Sequence, residues 1–231
     1  MKEKVSGLTL ASSVYDAIRL DIIEGRRRPG EKLQFDFLRS RYAAGISPIR
    51  EALSRLDADG WVVREEQKGF RVAEISRDEL LELVRTRVLI EGLAVREAIA
   101  AQDVEFEEQL VLAFHRLSKE NRYLREETRE RNPEWEKRHR AFHMALVAGC
   151  KLKWILRSCE HLFDLAERYR LLAAAVYPQR KEKAEHREIL DAYLAGDADQ
   201  IQVLLSAHYQ TTVDIILQSR FETATPIDAE S

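Results

Sequence analysis

The amino-acid sequence predicts a mostly α fold, in which three helices plus a small β-hairpin are followed by an all-α six-helix bundle. Two observations predict it. Glycine and proline punctuate the first third of the chain, at Gly25, Pro29, Gly30, Gly45, Pro48, Gly60 and Gly69, and almost vanish beyond residue 75. Past that point the text is helical and broken only at Asp103, Asn132-Pro133, Gly149, Pro178 and Gly196-Asp197. The shift divides the chain into one domain over 1–75, a second over 76–222 and a frayed tail over 223–231 that contains Pro226.

Val14, Ala17, Ile18, Ile22 and Ile23 lie at helical spacing, and Gly25 with Pro29-Gly30 ends that first helix. A second short helix fits Phe35 to Tyr42. The third is predicted to start with Ser47 as its cap and Pro48 at the first helical position, and to run through Ile49, Leu53 and Leu56 until Gly60. Trp61-Val62-Val63 and Phe70-Arg71-Val72 flank a polar stretch ending in Lys68-Gly69, the pattern of a hairpin. Helix, helix, helix and hairpin in this order make a winged helix-turn-helix. The six later helices are expected at approximately 77–101, 103–122, 133–149, 152–176, 179–195 and 197–221, the first opened by the capping-box spacing of Ser76 and Glu79. The charged run from Arg122 to Arg131 is expected as a solvated helix end or loop.

With 231 residues, 45% of them hydrophobic and 33% charged, the chain can bury a real core in each part, which excludes disorder for most of it. No apolar run approaches the roughly 20 residues that span a bilayer, and no apolar stretch of a signal peptide opens the sequence. A cytoplasmic protein with no membrane segment is therefore expected. Cys150 and Cys159 are too few for a disulfide framework and are expected as core thiols. Residues 1–77 carry 15 Lys/Arg against 12 Asp/Glu, whereas residues 78–231 carry 22 against 28, so the net charge of −3 hides a basic N-terminal part. In a helix-turn-helix, the second helix of the motif offers its N-terminal residues to base edges in the major groove. Ser47, Arg50 and Ser54 are expected on the exposed side of that helix, where Arg50 can bond a guanine through two nitrogens. Arg39, Arg41, Lys68 and Arg71, with Gly69 in the wing, are placed for the phosphates of double-stranded DNA.

The stretch LRSRYAAGISPIREALSRL from Leu38 to Leu56, followed by DADGWVV and QKGFRV, resembles the winged helix-turn-helix of the GntR family of bacterial transcription regulators. The residues that carry the resemblance are Pro48-Ile49-Arg50-Glu51-Ala52-Leu53, then Asp59-Gly60, then a wing tipped by Gly69. In one departure, members of that family often carry an arginine where this sequence has Ile46, so operator preferences do not carry over from them.

Of the six histidines, His139 and His143 stand at i and i+4 and share a helix face, a spacing that lets two imidazoles chelate one ion. The all-helical second part is similar to the FCD branch of the GntR family, whose bundle often holds a metal on a D-x-x-F-H helix, an E-H-x-x-[IL] segment and a histidine of the last helix. Phe142-His143, Glu185-His186-Arg187-Glu188-Ile189 and Ala207-His208 match three of the four ligand positions so implied, and His139 stands at the fourth in place of aspartate. Four neutral nitrogens favour zinc or nickel over manganese as the divalent metal and leave it more positive toward an anion. Ligands of this kind predict loss of metal below about pH 6.5, the ordinary histidine pKa. The resemblance implies a homodimeric repressor on operator DNA, tuned by a small carboxylate effector whose far end Arg87, Arg168 or Arg170 could clamp. RHRAFHMALVAGC and LFDLAERYR look like a subgroup of glutarate-responsive repressors, which points to glutarate or another short dicarboxylate. Two other readings stay open: a metal-dependent hydrolase using the histidine cluster with Glu136 or Glu185 as general base, and a protein-interaction module without DNA binding.

Overall fold

Residues 9–172 and 180–220 are described by a computed structural model, and they divide between Ser76 and Arg77 into two units. In the first, α1 (Leu10–Ile23) is capped by Thr9, whose side chain accepts from the Ser12 amide, and it buries Val14, Ile18 and Ile22. The second helix, α2 (Phe35–Tyr42), has the predicted bounds and ends on Ala43 in the left-handed region, at φ 48°. The third, α3 (Ile46–Ala58), starts earlier than predicted, because Gly45 and not Ser47 is its N-cap. Pro48 thus stands third in the helix, where its missing N–H is still one of the four that lack a helical partner. Ile49, Ala52, Leu53 and Leu56 form the buried stripe of α3, which packs on α1 and α2.

The wing has one strand more than predicted. Strands β1 (Lys32–Leu33), β2 (Val62–Glu65) and β3 (Gly69–Val72) form an antiparallel sheet in the order β1-β3-β2, with Leu33 opposite Phe70 and Glu65 opposite Gly69. A two-residue strand is too short for period-two alternation to show in a sequence. Gly30, at φ 74°, turns the chain into β1, and its amide donates to the Val72 carbonyl. Trp61 is fully buried with Ile18, Leu38 and Leu53, and burial of each of the three aliphatic side chains is worth about 1.5–3 kcal/mol relative to exposure.

The second unit contains six helices among the described residues: α4 (Arg77–Ala100), α5 (Val104–Leu117), α6 (Pro133–Val147), α7 (Lys153–Leu172), α8 (Glu182–Leu194) and α9 (Ala198–Arg220). Asp103 and Asn132 cap α5 and α6 by accepting from the Glu105 and Glu134 amides, and Pro133 opens α6. The charged run after α5 differs from expectation: α5 stops at Leu117, and β4 (Tyr123–Arg125) pairs with β5 (Glu130–Arg131). The Asn132 side chain donates to the Asn121 carbonyl and its amide to the Arg122 carbonyl, which closes this hairpin at its base. The predicted helix end at 176, the helix start at 179, the break at Pro178 and the tail over 223–231 lie outside the described residues.

Helix α4 packs on α7 and α9, α5 on α6 and α8, and α8 on α9. Their common core includes Val95, Leu110, Phe114, Phe142, Leu146, Ile189 and Leu205, together with Cys150 and Cys159. A Cβ on Gly149 would come 3.1 Å from that of Ala98, so the exit of α6 passes close to α4 only because residue 149 has no side chain. No described helix is long and apolar enough to cross a membrane.

Candidate functional site

In the N-terminal unit the residues predicted to meet DNA lie on α2, α3 and the wing. Because Ile49, Ala52, Leu53 and Leu56 turn inward, the helical period turns Ser47, Arg50 and Ser54 outward, and all three are exposed. Arg39 and Arg41 of α2 are half-exposed. Arg41 lies 3.7 Å from Asp21, a buried carboxylate that accepts from the Tyr42 hydroxyl at 2.7 Å and from Arg26 Nε at 2.5 Å. Burial opposes the Asp21 charge, but these bonds and cations outweigh it and hold the carboxyl below its ordinary pKa. The last residue of α2 is thereby tied to α1. Lys68 is exposed in the turn of the wing, between Gln67 and Gly69, which both have positive φ. Arg71 is different: its partly buried guanidinium donates to the Gly30 carbonyl at 2.6 Å and to Glu65 at 3.2 Å, so it braces the wing from within.

The second unit brings four predicted residues together. His139 and His143 of α6, His186 of α8 and His208 of α9 each place one nitrogen within 4.8 Å of the others, and all four are buried. On α6 the inward residues are Trp135, His139, Phe142, His143 and Leu146, a helical stripe in which two imidazoles replace apolar side chains. Their Nε2 atoms are 3.2 Å apart, and the Trp135 ring stacks on His139 at 4.7 Å. Burial, reinforced by the neighbouring imidazoles and arginines, holds His139, His143 and His186 well below the ordinary histidine pKa. It pushes His208 down to about 4, although Glu185 pulls the other way. All four rings are therefore neutral at pH 7, with lone pairs available to a cation.

Two observations test the fit of an ion. His186 Nε2 is buried with no hydrogen-bond partner among the described residues, an arrangement that costs about 1–3 kcal/mol unless something binds its lone pair. Two nitrogens on one ion at about 2.1 Å lie about 3.4 Å apart in a tetrahedral set and at most about 4.2 Å apart when trans, so a spread of up to 4.8 Å has to close by about 0.6–1.4 Å. The surroundings orient two of the rings, His208 and His143, as metal ligands are usually oriented, whereas His139 Nδ1 is buried with no hydrogen-bond partner among the described residues. His208 Nδ1 is 2.7 Å from Glu185, which Arg180 also grips. The Tyr209 hydroxyl is 3.3 Å from His143 Nδ1, donates to Glu91 and accepts from Arg87 at 3.0 Å, while Arg87 bonds Glu91 at 2.8 Å.

A cavity of about 30 Å³ touches His139, His143 and His208 and is lined by Arg87, Arg122, Arg170 and Arg180. Of the three arginines proposed from the sequence, Arg87 and Arg170 line it, whereas Arg168 is buried outside it. Sequence reasoning missed Arg122, which lay in the charged run read as solvated, and Arg180, which no spacing distinguishes. Every one of the four is matched by carboxylates: Arg87 by Glu91, Arg122 by Glu182, Arg170 by Glu136 and Glu167, Arg180 by Glu185. Burial pushes the Cys159 thiol up to about 12, so it is a core group and not a nucleophile.

Comparison with known proteins divides the chain at the same place. Residues 10–72 match the bacterial regulatory proteins of the gntR family, and residues 82–211 match the FCD domain. The chain is 38% identical over 210 residues to the HTH-type transcriptional repressor GlaR of Escherichia coli strain K12, covering 89% of this chain and 94% of that protein. It is 35% identical over 216 residues to the uncharacterized HTH-type transcriptional regulator BphR of Paraburkholderia xenovorans strain LB400, covering 91% and 86%. Among solved structures, E. coli McbR/YncC shares the fold with a TM-score of 0.74 at 21% identity, over 92% of this chain and 99% of that one. The chain belongs to the GntR family of bacterial regulatory proteins, with an FCD domain behind its helix-turn-helix.

Proposed function

We propose that this regulator is a repressor whose FCD domain holds one divalent metal on His139, His143, His186 and His208 and receives a small carboxylate there. The observation that carries the proposal is the convergence of four buried, neutral imidazoles, three of which (His139, His143 and His208) line a cavity whose arginines already have carboxylate partners. When bound, the ion supplies positive charge and open coordination positions, and zinc or nickel suits an all-nitrogen set better than manganese. Glu185 and Tyr209 orient His208 and His143, and Arg87 and Arg170 are placed to take the far end of a dicarboxylate such as glutarate by exchanging glutamates for it. A cavity of about 30 Å³ has room for about one water, so a carboxylate must displace side chains to enter. Arg87 and Glu91 belong to α4, the helix that directly follows the N-terminal unit in the chain, so their displacement gives effector binding a route toward the DNA-binding part.

The DNA surface comprises Ser47, Arg50 and Ser54 for base edges and Arg39, Arg41 and Lys68 for phosphates, with Arg71 as a brace. One winged helix reads only a few base pairs, so binding takes place as a homodimer on a pseudo-palindromic site. The hydrolase reading is not favoured, because Glu136 and Glu185, its candidate bases, are both held by buried arginines. A gel shift with DNA from upstream of the chain's own coding sequence tests the proposal. The expected result is a salt-sensitive complex that short dicarboxylates release, and a His143→Ala variant that binds DNA but ignores them. Equal binding to upstream and random DNA would contradict it.

A further inference from the structure

We infer that Ile46 recognises the C5-methyl group of a thymine in the operator, an inference that rests on the DNA-binding reading above. Ile46 is the first residue of α3 and is 48% exposed. A single exposed apolar side chain ordinarily means nothing. Its placement gives it meaning here. Ile46 and Arg50 stand one helical turn apart and share a face, which Ser54 continues, and the fully buried Ile49, Leu53 and Leu56 fix the direction in which that face points. The N-cap in front of it is Gly45, and Ala44 before that is buried, so no larger side chain there screens Ile46 from what approaches the helix end. Between Arg41 and Arg50 the sequence has no charged residue, so discrimination by the first turn of α3 has to be non-ionic.

The major-groove edges of the four bases present hydrogen-bond donors and acceptors, and only thymine adds an apolar methyl, where cytosine has a bare C5–H. An alkyl side chain pressed against a donor or acceptor would remove its water and put nothing in its place. Against the methyl, both partners lose apolar surface to water. The β-branched side chain of isoleucine is stiff at χ1, and the Pro48 ring restrains the turn that carries it, so contact sacrifices little conformational freedom. Loss of one buried methyl corresponds to about a fourfold change in affinity per half-site, and about fifteenfold for the two half-sites of a symmetric operator.

The test uses the full-length chain and duplexes that it selects from a randomised DNA pool. Each thymine of the selected site is replaced in turn by deoxyuridine, which keeps the base pair and removes only the methyl, and affinity is read by fluorescence anisotropy. The expected result is one symmetry-related thymine pair whose replacement weakens the natural chain about fifteenfold and leaves Ile46→Ala unaffected, while Ile46→Val keeps most of the sensitivity. Circular dichroism checks that Ile46→Ala folds normally, as an exposed position predicts. If selected duplexes bind specifically but no thymine methyl matters more to the natural chain than to Ile46→Ala, the inference is wrong and the regulator reading stands. Failure to enrich any sequence overturns both.

Discussion

Acidification of the metal-free protein between pH 7 and pH 5 should destabilise it through its buried histidines. His208 has a folded pKa pushed down to about 4, against about 6.5 in an unfolded chain. The unfolded state therefore takes up the proton first, so the stability that His208 contributes is complete above pH 6.5 and is lost as pH falls toward 4. Linkage gives about 1.8 kcal/mol lost between pH 7 and pH 5 from this residue alone. His139, His143 and His186 are displaced in the same direction and add to the loss. Glu185, held at about 2 by Arg180 and His208 against the opposing effect of burial, acts mainly below pH 4.5, beneath this window. Urea unfolding of chelator-treated protein at pH 7, 6 and 5, followed by far-ultraviolet circular dichroism, reads the effect. A His208→Gln variant should lose about 1.8 kcal/mol less than the natural chain over the same interval. Stability that stays level or rises toward pH 5, or a variant with the natural pH dependence, would refute the burial argument. The same displacement corrects the expectation from sequence that metal is lost near pH 6.5, because protons compete effectively for these rings only at lower pH.

Arg50→Ala should cost about 1–3 kcal/mol on the selected site and relax preference at one base pair, whereas equal losses on random DNA would make Arg50 a phosphate contact. Lys68→Ala should weaken all sequences alike and reduce the slope of log affinity against log salt by about one, measured by anisotropy across a salt series. Tyr209→Phe removes the hydroxyl that meets His143 and Glu91, and should lower metal affinity by about tenfold to a hundredfold in a chelator competition assay; unchanged affinity would show that this bond does not orient the ligand.

The first unit was legible because its signals are local. Glycines and prolines mark its turns, and one amphipathic stripe in α3 fixes which residues face outward. What escaped was either too short to carry a pattern, such as β1, or depended on backbone geometry that several residues could satisfy, such as the capping of α3 by Gly45 and not Ser47. Arg71 looked like a surface cation until Gly30, distant in sequence, proved to accept from it. In the histidine cluster the i,i+4 pair on α6 was visible by spacing, but His186 and His208 join it only through helix packing, and they were found through the family resemblance. Arg122 and Arg180 had no signal, because a charge in a buried ion pair and a charge in water look alike in a sequence. The hairpin over Tyr123–Arg131 was hidden for a related reason: its residues are mostly charged, and its base is closed by Asn132.

The most direct measurement is the metal content of untagged protein purified without chelator, determined by elemental analysis alongside His143→Ala and His186→Ala. Four convergent, neutral, buried imidazoles predict close to one zinc or nickel per natural chain, and far less in either variant, with operator binding by the effector-free protein retained. Well under one metal per natural chain, together with a normal effector response in both variants, would contradict the metal centre.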